Sequence, residues 1–517
     1  MTSSPLSTAP ATKLSKIEQA KAECCGLDLA PRLAELAQQG WEQLDEATLT
    51  IHLKWLGIFF RPVTPGRFMV RLRLPNGVIQ AEQLAVLAEA LDRCGEHGSA
   101  DITTRQNLQL RGLLLEDLPP LLAAMEAVGL TSRQSGHDNP RNITGNPLAG
   151  IDPEEIVDTR PFVDAIQARL LADGPRNLPR KFNVAVGGAP DSFLLHNDLA
   201  FLPAQREGRL GFTVMVGGFF SAQRNELAIP LGLWLEGGQL PDFTLAVLRH
   251  FERCGNRAAR NRSRLMYLID ELGLDAYRRA VLEAHCALVV EAAPAPLPHD
   301  GSHLVNRAPR DGLGWNRQPQ PGKAWMGLHV PMGRLDAESM LELARLARTY
   351  GSGELRLTEA QNVLLPHVPL EQREALEAEP LLQQFRTDPS PLQAEAVSCT
   401  GNRYCSFALI PTKTTAQSVL EELEQRLELP HAVRLHWTGC PNACGQPYMG
   451  QIGLMGAKAR KDGDMVEAAK IFLGGAMDAD PKLAELHDKG VPLSDLPDVL
   501  EQLLIERFGA RPRPAAA

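Results

Sequence analysis

Residues 100–112 read ADITTRQNLQLRG and residues 353–368 read GELRLTEAQNVLLPHV. Both alternate apolar and polar residues as a half-buried strand does. Both place a Gln-Asn pair at the same point, Gln106-Asn107 and Gln361-Asn362. Upstream of the first lies FMVRLRLPNG, a strand ended by Pro75 and Gly77, then IQAEQLAVLAEALDRCG, a helical pattern stopped by Gly95. Upstream of the second lies AWMGLHVPMG, ended by Pro331 and Gly333, then the helical LDAESMLELARLARTYG. The offset is about 255 residues. A weaker echo, VMVGG (214–218) and IFLGG (471–475), repeats at nearly the same offset. The chain therefore reads as α+β and internally duplicated, with a pseudo-two-fold relation, each half joining a βαβ-type unit to a second sheet unit. LPPLLAAMEAVG (118–129) adds a helix to the first copy, and residues 15–50 are helical in pattern. The Pro- and Gly-rich stretch 293–323 reads as the linker between halves.

The composition is that of an ordinary globular protein: 517 residues, 44% hydrophobic and 22% charged, enough for two to four domains. A formal net charge of −9 argues against wholesale nucleic-acid binding and leaves room only for a local basic patch. No apolar run is long enough to cross a membrane. The start, MTSSPLSTAPATK, lacks an apolar stretch and any Arg, and reads as a short tail rather than a secretory or organelle signal. Nine cysteines, an odd number scattered over a long chain, do not form a disulfide framework. A reducing compartment is expected, and the short tail favours a bacterial cytoplasm over a plastid stroma.

The duplication is broken where chemistry belongs. Arg105 in one copy stands where the other has Ala360, and only the second half carries Cys399 and Cys405 in CTGNRYC and Cys440 and Cys444 in TGCPNACGQ. Zinc knuckles use C-x2-C or C-x4-C. Here the spacings are C-x5-C and C-x3-C, with 34 residues between the pairs. Thr400, Gly401, Asn402, Gly439, Pro441, Asn442 and Gly445 are turn formers, suited to loops that aim backbone N–H groups at sulfur. Four thiolates so arranged suit a [4Fe–4S] cluster. The site is expected between the halves, with metal from one side and positive charge from the other. Cys24, Cys25, Cys94, Cys254 and Cys286 read as small buried hydrophobes.

From about residue 15 to 505 the chain resembles the ferredoxin-dependent nitrite reductases, within the sirohaem and [4Fe–4S] nitrite and sulfite reductase family. The resemblance rests on ADITTRQN, SGHDNPRNITGNPLAGIDPEEIVDTRP, NLPRKFNVAVGG, GFTVMVGGFF, CTGNRYC and TGCPNACGQ. It implies ferredoxin-like half-domains at 51–135 and 324–390. It implies two haem- and cluster-binding α+β domains at 136–292 and 391–517, after an N-terminal tail and helices at 1–50. Cys399, Cys405, Cys440 and Cys444 would hold the cluster, with Cys444 also bridging it to the sirohaem iron. Arg105 and Arg141 match the family's substrate-binding arginines, and Lys181 its active-site lysine. The sulfite reductases tend to place a second Lys where this chain has Asn183. One cation fewer suits singly charged nitrite better than sulfite. Sirohaem carries eight carboxylates, which need cations when buried. Arg71, Arg73, Arg180 and Arg224, with Arg260 and Arg264 in the run NRAARNRSR (256–264), are the candidates. Gln106 and Asn107 are expected to touch the macrocycle or position Arg105. Many family members follow TTRQN with an aromatic residue; here Leu108 stands there, which suggests a smaller or more mobile pocket wall.

No strand–G-x-G-x-x-G–helix fingerprint for a flavin or nicotinamide is present, so an external carrier is expected, and the resemblance names ferredoxin. The activity implied is six-electron reduction of nitrite to ammonium by a monomer in nitrate assimilation. The alternatives are a sulfite reductase of the same architecture and, in another class, an RNA-binding protein with a four-cysteine zinc site and the run 256–264 as its basic face.

Overall fold

The computed structural model describes residues 15–188, 192–285, 290–291, 312–477 and 481–514. Residues 1–14, Cys286 and most of the expected linker lie outside them.

Two five-stranded antiparallel sheets form the middle of the molecule. One runs Ile58–Phe60, Phe68–Arg71, Asn107–Leu113, Ser99–Thr103 and Arg334–Leu335. The other runs Gly314–Arg317, Lys323–Leu328, Val363–Pro369, Glu354–Leu357 and Val78–Gln80. The orders correspond position by position, and the last strand of each comes from the other copy. Glu354 pairs with Gln80, and Arg334 with Asp101. Helices Ala81–Asp92 and Ala337–Tyr350 pack against each other, and one hydrophobic core draws on both copies, from Leu27 to Phe385. Burying apolar surface across the pair makes the two halves one folding unit.

The single strands read at 100–112 and 353–368 are hairpins. Each breaks at its Gln, Gln106 with φ 51° and Gln361 with φ 69°. The left-handed turn is fixed by what the two side chains do. Gln106 takes both the N–H and the carbonyl of Gly145, at 2.9 and 2.8 Å. Gln361 takes the N–H of Ser398 at 2.8 Å and the carbonyl of Ile102 at 2.7 Å. The repeated Gln is thus a clamp that ties each ferredoxin-like hairpin to the first strand of its neighbouring domain.

Those domains share a topology as well. In one, Pro140–Gly145, Phe182–Val186 and Leu199–Arg206 run parallel, followed by antiparallel Arg209–Val216 and Ile229–Leu235. In the other, Ala396–Ser398, Leu435–Thr438 and Ile452–Lys461 run parallel, followed by antiparallel Asp464–Leu473 and Glu485–Pro492. VMVGG and IFLGG close the fourth strand of each sheet. In the first sheet Arg141 and Lys181 stand at the N-terminal ends of the parallel strands Pro140–Gly145 and Phe182–Val186; in the second the cysteine loops leave the C-terminal ends of Ala396–Ser398 and Leu435–Thr438. The stretch expected as a linker is corrected at its end, because Gly314–Arg317 is an edge strand paired with Lys323–Leu328. Cys254, expected to be buried, is exposed, while Cys94 is buried. No helix among the described residues is long and apolar enough to cross a membrane.

Candidate active site

A cleft opens between the halves, with about 150 Å³ of enclosed space and about 790 Å³ counted out into solvent. Arg71, Arg105, Arg141, Lys181 and Arg264 line it on one side, and Asn442, Ala443, Cys444 and Gln446 on the other. No carboxylate is among the residues lining it.

Arg105 sits on the hairpin turn that Gln106 fixes. Its carbonyl accepts from Asn142 Nδ2 at 3.0 Å, and its Nη1 donates to Asn197 Oδ1 at 2.9 Å. Arg141, on Pro140–Gly145, donates from Nη2 to the carbonyl of His137 at 2.8 Å, and its buried Nε has no partner among the described residues. Lys181 makes no hydrogen bond or ion pair among the described residues. Arg71 lies over the Phe59 ring at 4.6 Å. Among the described residues only Arg264 of these five meets a carboxylate, Asp198, through Nε at 3.0 Å and Nη2 at 2.6 Å. Burial, reinforced by mutual repulsion, pushes the Arg71 and Arg105 pKa values down to about 10 and those of Arg141 and Lys181 well below their usual ranges. Buried unpaired charge is costly, so such a cradle calls for an anionic occupant.

The cysteine loops face it. Cys399 follows Ala396–Ser398, and Cys440 follows Leu435–Thr438. Gly439 N–H donates to Cys399 Sγ at 3.2 Å, the backbone contact the turn residues led us to expect. A Cβ on Gly445 would lie 2.0 Å from the carbonyl of Trp437, so only glycine lets the loop fold back there. Burial, then the Cys444 charge, pushes the Cys399 thiol up and Cys440 to about 12. Cys405 adds to the effect on Cys440, so the four sulfurs share one electrostatic neighbourhood. Among the described residues no three His, Cys, Asp or Glu side chains converge as ligands of a single ion do. A multi-iron cluster needs a wider ring than one zinc ion, and its positive charge would displace the thiol protons.

Asp101 fastens the cysteine loop to the other half. This buried carboxylate accepts from Thr400 Oγ1 at 2.9 Å, Arg111 Nε at 2.8 Å and Arg334 Nη2 at 3.0 Å, with Lys413 Nζ 3.6 Å away. Its pKa is held far below the carboxylate range by these cations, against the opposing effect of burial.

Several expected residues lie off the cleft wall. Arg73 is buried behind it, donating to the carbonyls of Pro140 at 2.8 Å and Arg141 at 3.0 Å, so it shapes the Arg141 strand. Gln106 is spent on Gly145. Arg260 forks onto Asp138 at 2.8 and 2.9 Å, and Arg180 approaches the same carboxylate at 3.8 Å. Arg224 pairs with Glu226 and Asp270. Asn183 is buried, with its N–H on Asp198 at 2.8 Å and its Oδ1 without a partner among the described residues. Asn107 does line the cleft, its Nδ2 donating to the Leu72 carbonyl at 2.5 Å. Leu108 points the opposite way into the core, so it forms no pocket wall. The run 256–264 is no open basic face. Arg257, Arg260 and Arg264 turn inward onto Glu18, Asp138 and Asp198.

Sequence reasoning missed His196, Asn197 and Asp198, all buried, which join the Gln446 loop, Arg105, Arg264 and Asn183. The available signal was a run of three polar residues directly before the apolar strand LAFLP.

The nitrite and sulphite reductase 4Fe-4S domain model matches residues 136–287 and 393–506, and the nitrite/sulfite reductase ferredoxin-like half domain matches 62–128 and 316–382. A ferredoxin–nitrite reductase of Synechococcus elongatus is 52% identical over 514 residues, covering 98% of this chain and 99% of its own. A chloroplastic ferredoxin–nitrite reductase of Zea mays is 47% identical, covering 93% of this chain and 87% of its own. The solved Mycobacterium tuberculosis NirA protein is 25% identical with a TM-score of 0.87, covering 98% of this chain and 95% of its own. Two ferredoxin-like half-domains, a doubled second sheet and a cationic cleft lined by Cys444 go with these likenesses: the chain belongs to the nitrite and sulphite reductase family.

Proposed function

We propose that the chain is a ferredoxin-dependent nitrite reductase, converting nitrite to ammonium with six electrons and eight protons and releasing two waters. The observation that carries the reading is the cleft itself: five cations, Arg264 buried and Arg71, Arg105, Arg141 and Lys181 half-buried, the last four without a carboxylate partner among the described residues, line it together with Cys444. A ring bearing eight carboxylates and a small oxyanion fit that charge. When bound, sirohaem and the [4Fe–4S] cluster supply the iron that takes the substrate and the store of electrons.

Cys399, Cys405, Cys440 and Cys444 would hold the cluster, and Cys444, the one that lines the cleft, would hold the sirohaem iron too. Arg71, Arg264 and Asn107 would receive the macrocycle. Arg105 and Arg141 would bind the nitrite oxygens with their planar forks. Lys181, whose lowered pKa eases release of its Nζ proton, would pass protons to the departing oxygen. Water then leaves in place of oxide, and the neighbouring arginines hold the charge in position. Asn183 contributes no cation, which favours nitrite over a dianion. Electrons come from reduced ferredoxin in the cytoplasm.

The test is the visible spectrum of the purified protein, followed by turnover of nitrite and sulfite with reduced methyl viologen. Haem absorption with the higher kcat/KM on nitrite is expected. A colourless protein, or greater efficiency on sulfite, would overturn the assignment.

A further inference from the structure

Arg105 and Arg264 share the cleft wall, yet their anchors differ in charge. Arg264 grips the two oxygens of Asp198, which cancels its charge. Arg105 donates to the preceding residue, Asn197, through an amide oxygen at 2.9 Å. We propose that Asn197 is a positioning residue that aims Arg105 at the substrate anion while leaving its charge intact, an inference that rests on the nitrite reading of this site.

A buried arginine needs its N–H groups satisfied, and a carboxylate would do this most strongly. It would also cancel the net charge that Arg105 offers to an anion in the cleft. An amide oxygen orients without neutralising. Asn197 is suited to the task because it cannot turn away. It is fully buried, and its own Nδ2 donates to the Leu194 carbonyl at 2.8 Å, which fixes its oxygen toward Arg105. The segment is tied down on both sides. His196 meets Gln446 Nε2 at 2.9 Å, and Asp198 accepts the Asn183 N–H at 2.8 Å. Asn142 Nδ2 holds the backbone carbonyl of Arg105 at 3.0 Å. The residue is therefore tied at its backbone and at Nη1, and the anchor at its guanidinium, Asn197, is neutral. Asp198 next door shows that the chain supplies a carboxylate where neutralisation is wanted.

The test is a double-mutant cycle of Asn197→Ala and Arg105→Gln, read as nitrite affinity from the optical shift of the haem, per haem-loaded molecule. Carbon monoxide on the reduced haem is the uncharged reference. In the wild-type background Asn197→Ala is expected to weaken nitrite by about tenfold. In the Arg105→Gln background the same change is expected to alter it less than twofold, with carbon monoxide binding unchanged in both. Asn197→Asp is the second variant. It keeps the acceptor but neutralises Arg105, and is expected to weaken nitrite at least as much, again sparing carbon monoxide. Equal effects of Asn197→Ala in the two backgrounds, equal loss of carbon monoxide, or wild-type nitrite affinity in Asn197→Asp would each overturn the role. Wild-type protein lacking a haem spectrum would instead bring down the nitrite reading beneath it.

Discussion

Thr104 Oγ1 donates a 3.0 Å hydrogen bond to the carbonyl of Cys444, so the residue beside Arg105 holds the backbone of the cysteine that lines the cleft. Gln446 returns the contact, its Nε2 3.3 Å from the carbonyl of Thr104. The two halves of the duplication meet at this point, and the distance between cationic wall and cysteine loop is set by it. Thr104→Val keeps the shape and removes the donor, leaving the carbonyl of Cys444 unsatisfied at a cost of about 1–2 kcal/mol. The variant should melt a few degrees lower and retain less haem after gel filtration. Unchanged melting with full haem content would show that the bond positions nothing.

Arg141→Gln and Lys181→Met each remove a cation that has no carboxylate partner among the described residues. Electrostatic stabilisation in a water-poor site is typically worth about 10²–10³ in rate. Nitrite kcat/KM should fall by about 10²-fold in each variant. The cofactor-free forms should melt higher than wild type, because a destabilising buried charge is gone. Measuring activity and melting on the same preparations separates the two effects; a fall in both would mean the residues hold the fold.

Asp101→Asn leaves Arg111, Arg334 and Lys413 around an uncharged amide. Breaking such a buried set should cost about 3 kcal/mol at neutral pH. The folded-state pKa of Asp101 is depressed, so its contribution is complete above the unfolded value of about 3.9 and is lost as pH falls through the folded one. The gap in melting temperature between wild type and variant should be full at pH 7 and narrow below about pH 4. A constant gap would place the effect in packing.

Burial, aided by repulsion from Arg61, Arg260 and Arg141, lowers the Lys54 pKa to about 7. In the unfolded chain it titrates near 10.4, so between these values unfolding takes up a proton and stability rises with pH. In the cofactor-free protein Lys54→Met should therefore stabilise most at or below pH 7, and the advantage should shrink toward pH 10. Melting curves across that range check it; an advantage that grows with pH would reverse the sign of the argument.

Much of the site was legible in the chain because its residues sit in local patterns. The cysteine spacing, the Gly and Pro residues around it and the Arg105/Ala360 asymmetry are properties of short segments, and the structure brings Arg105, Arg141, Lys181 and Cys444 to one cleft. The cation list was less legible. Arg73, Arg180, Arg224 and Arg260 are as basic as Arg71, but their roles follow from partners far along the chain: the Pro140 carbonyl, Asp138, Asp270. Composition cannot tell a cation that faces a cleft from one already matched by a buried acid.

By itself the sequence determined the duplication and the succession of strand and helix segments in each copy, apart from the two hairpins it showed as single strands, since periodicity and turn residues act over a few positions. The tertiary structure alone decided that the copies trade edge strands, Val78–Gln80 for Arg334–Leu335, and that Asn197 rather than Asp198 faces Arg105. An edge strand's hydrogen-bonding groups take whichever partner closure of the shared core brings near, and one position along a segment exchanges a charged anchor for a neutral one.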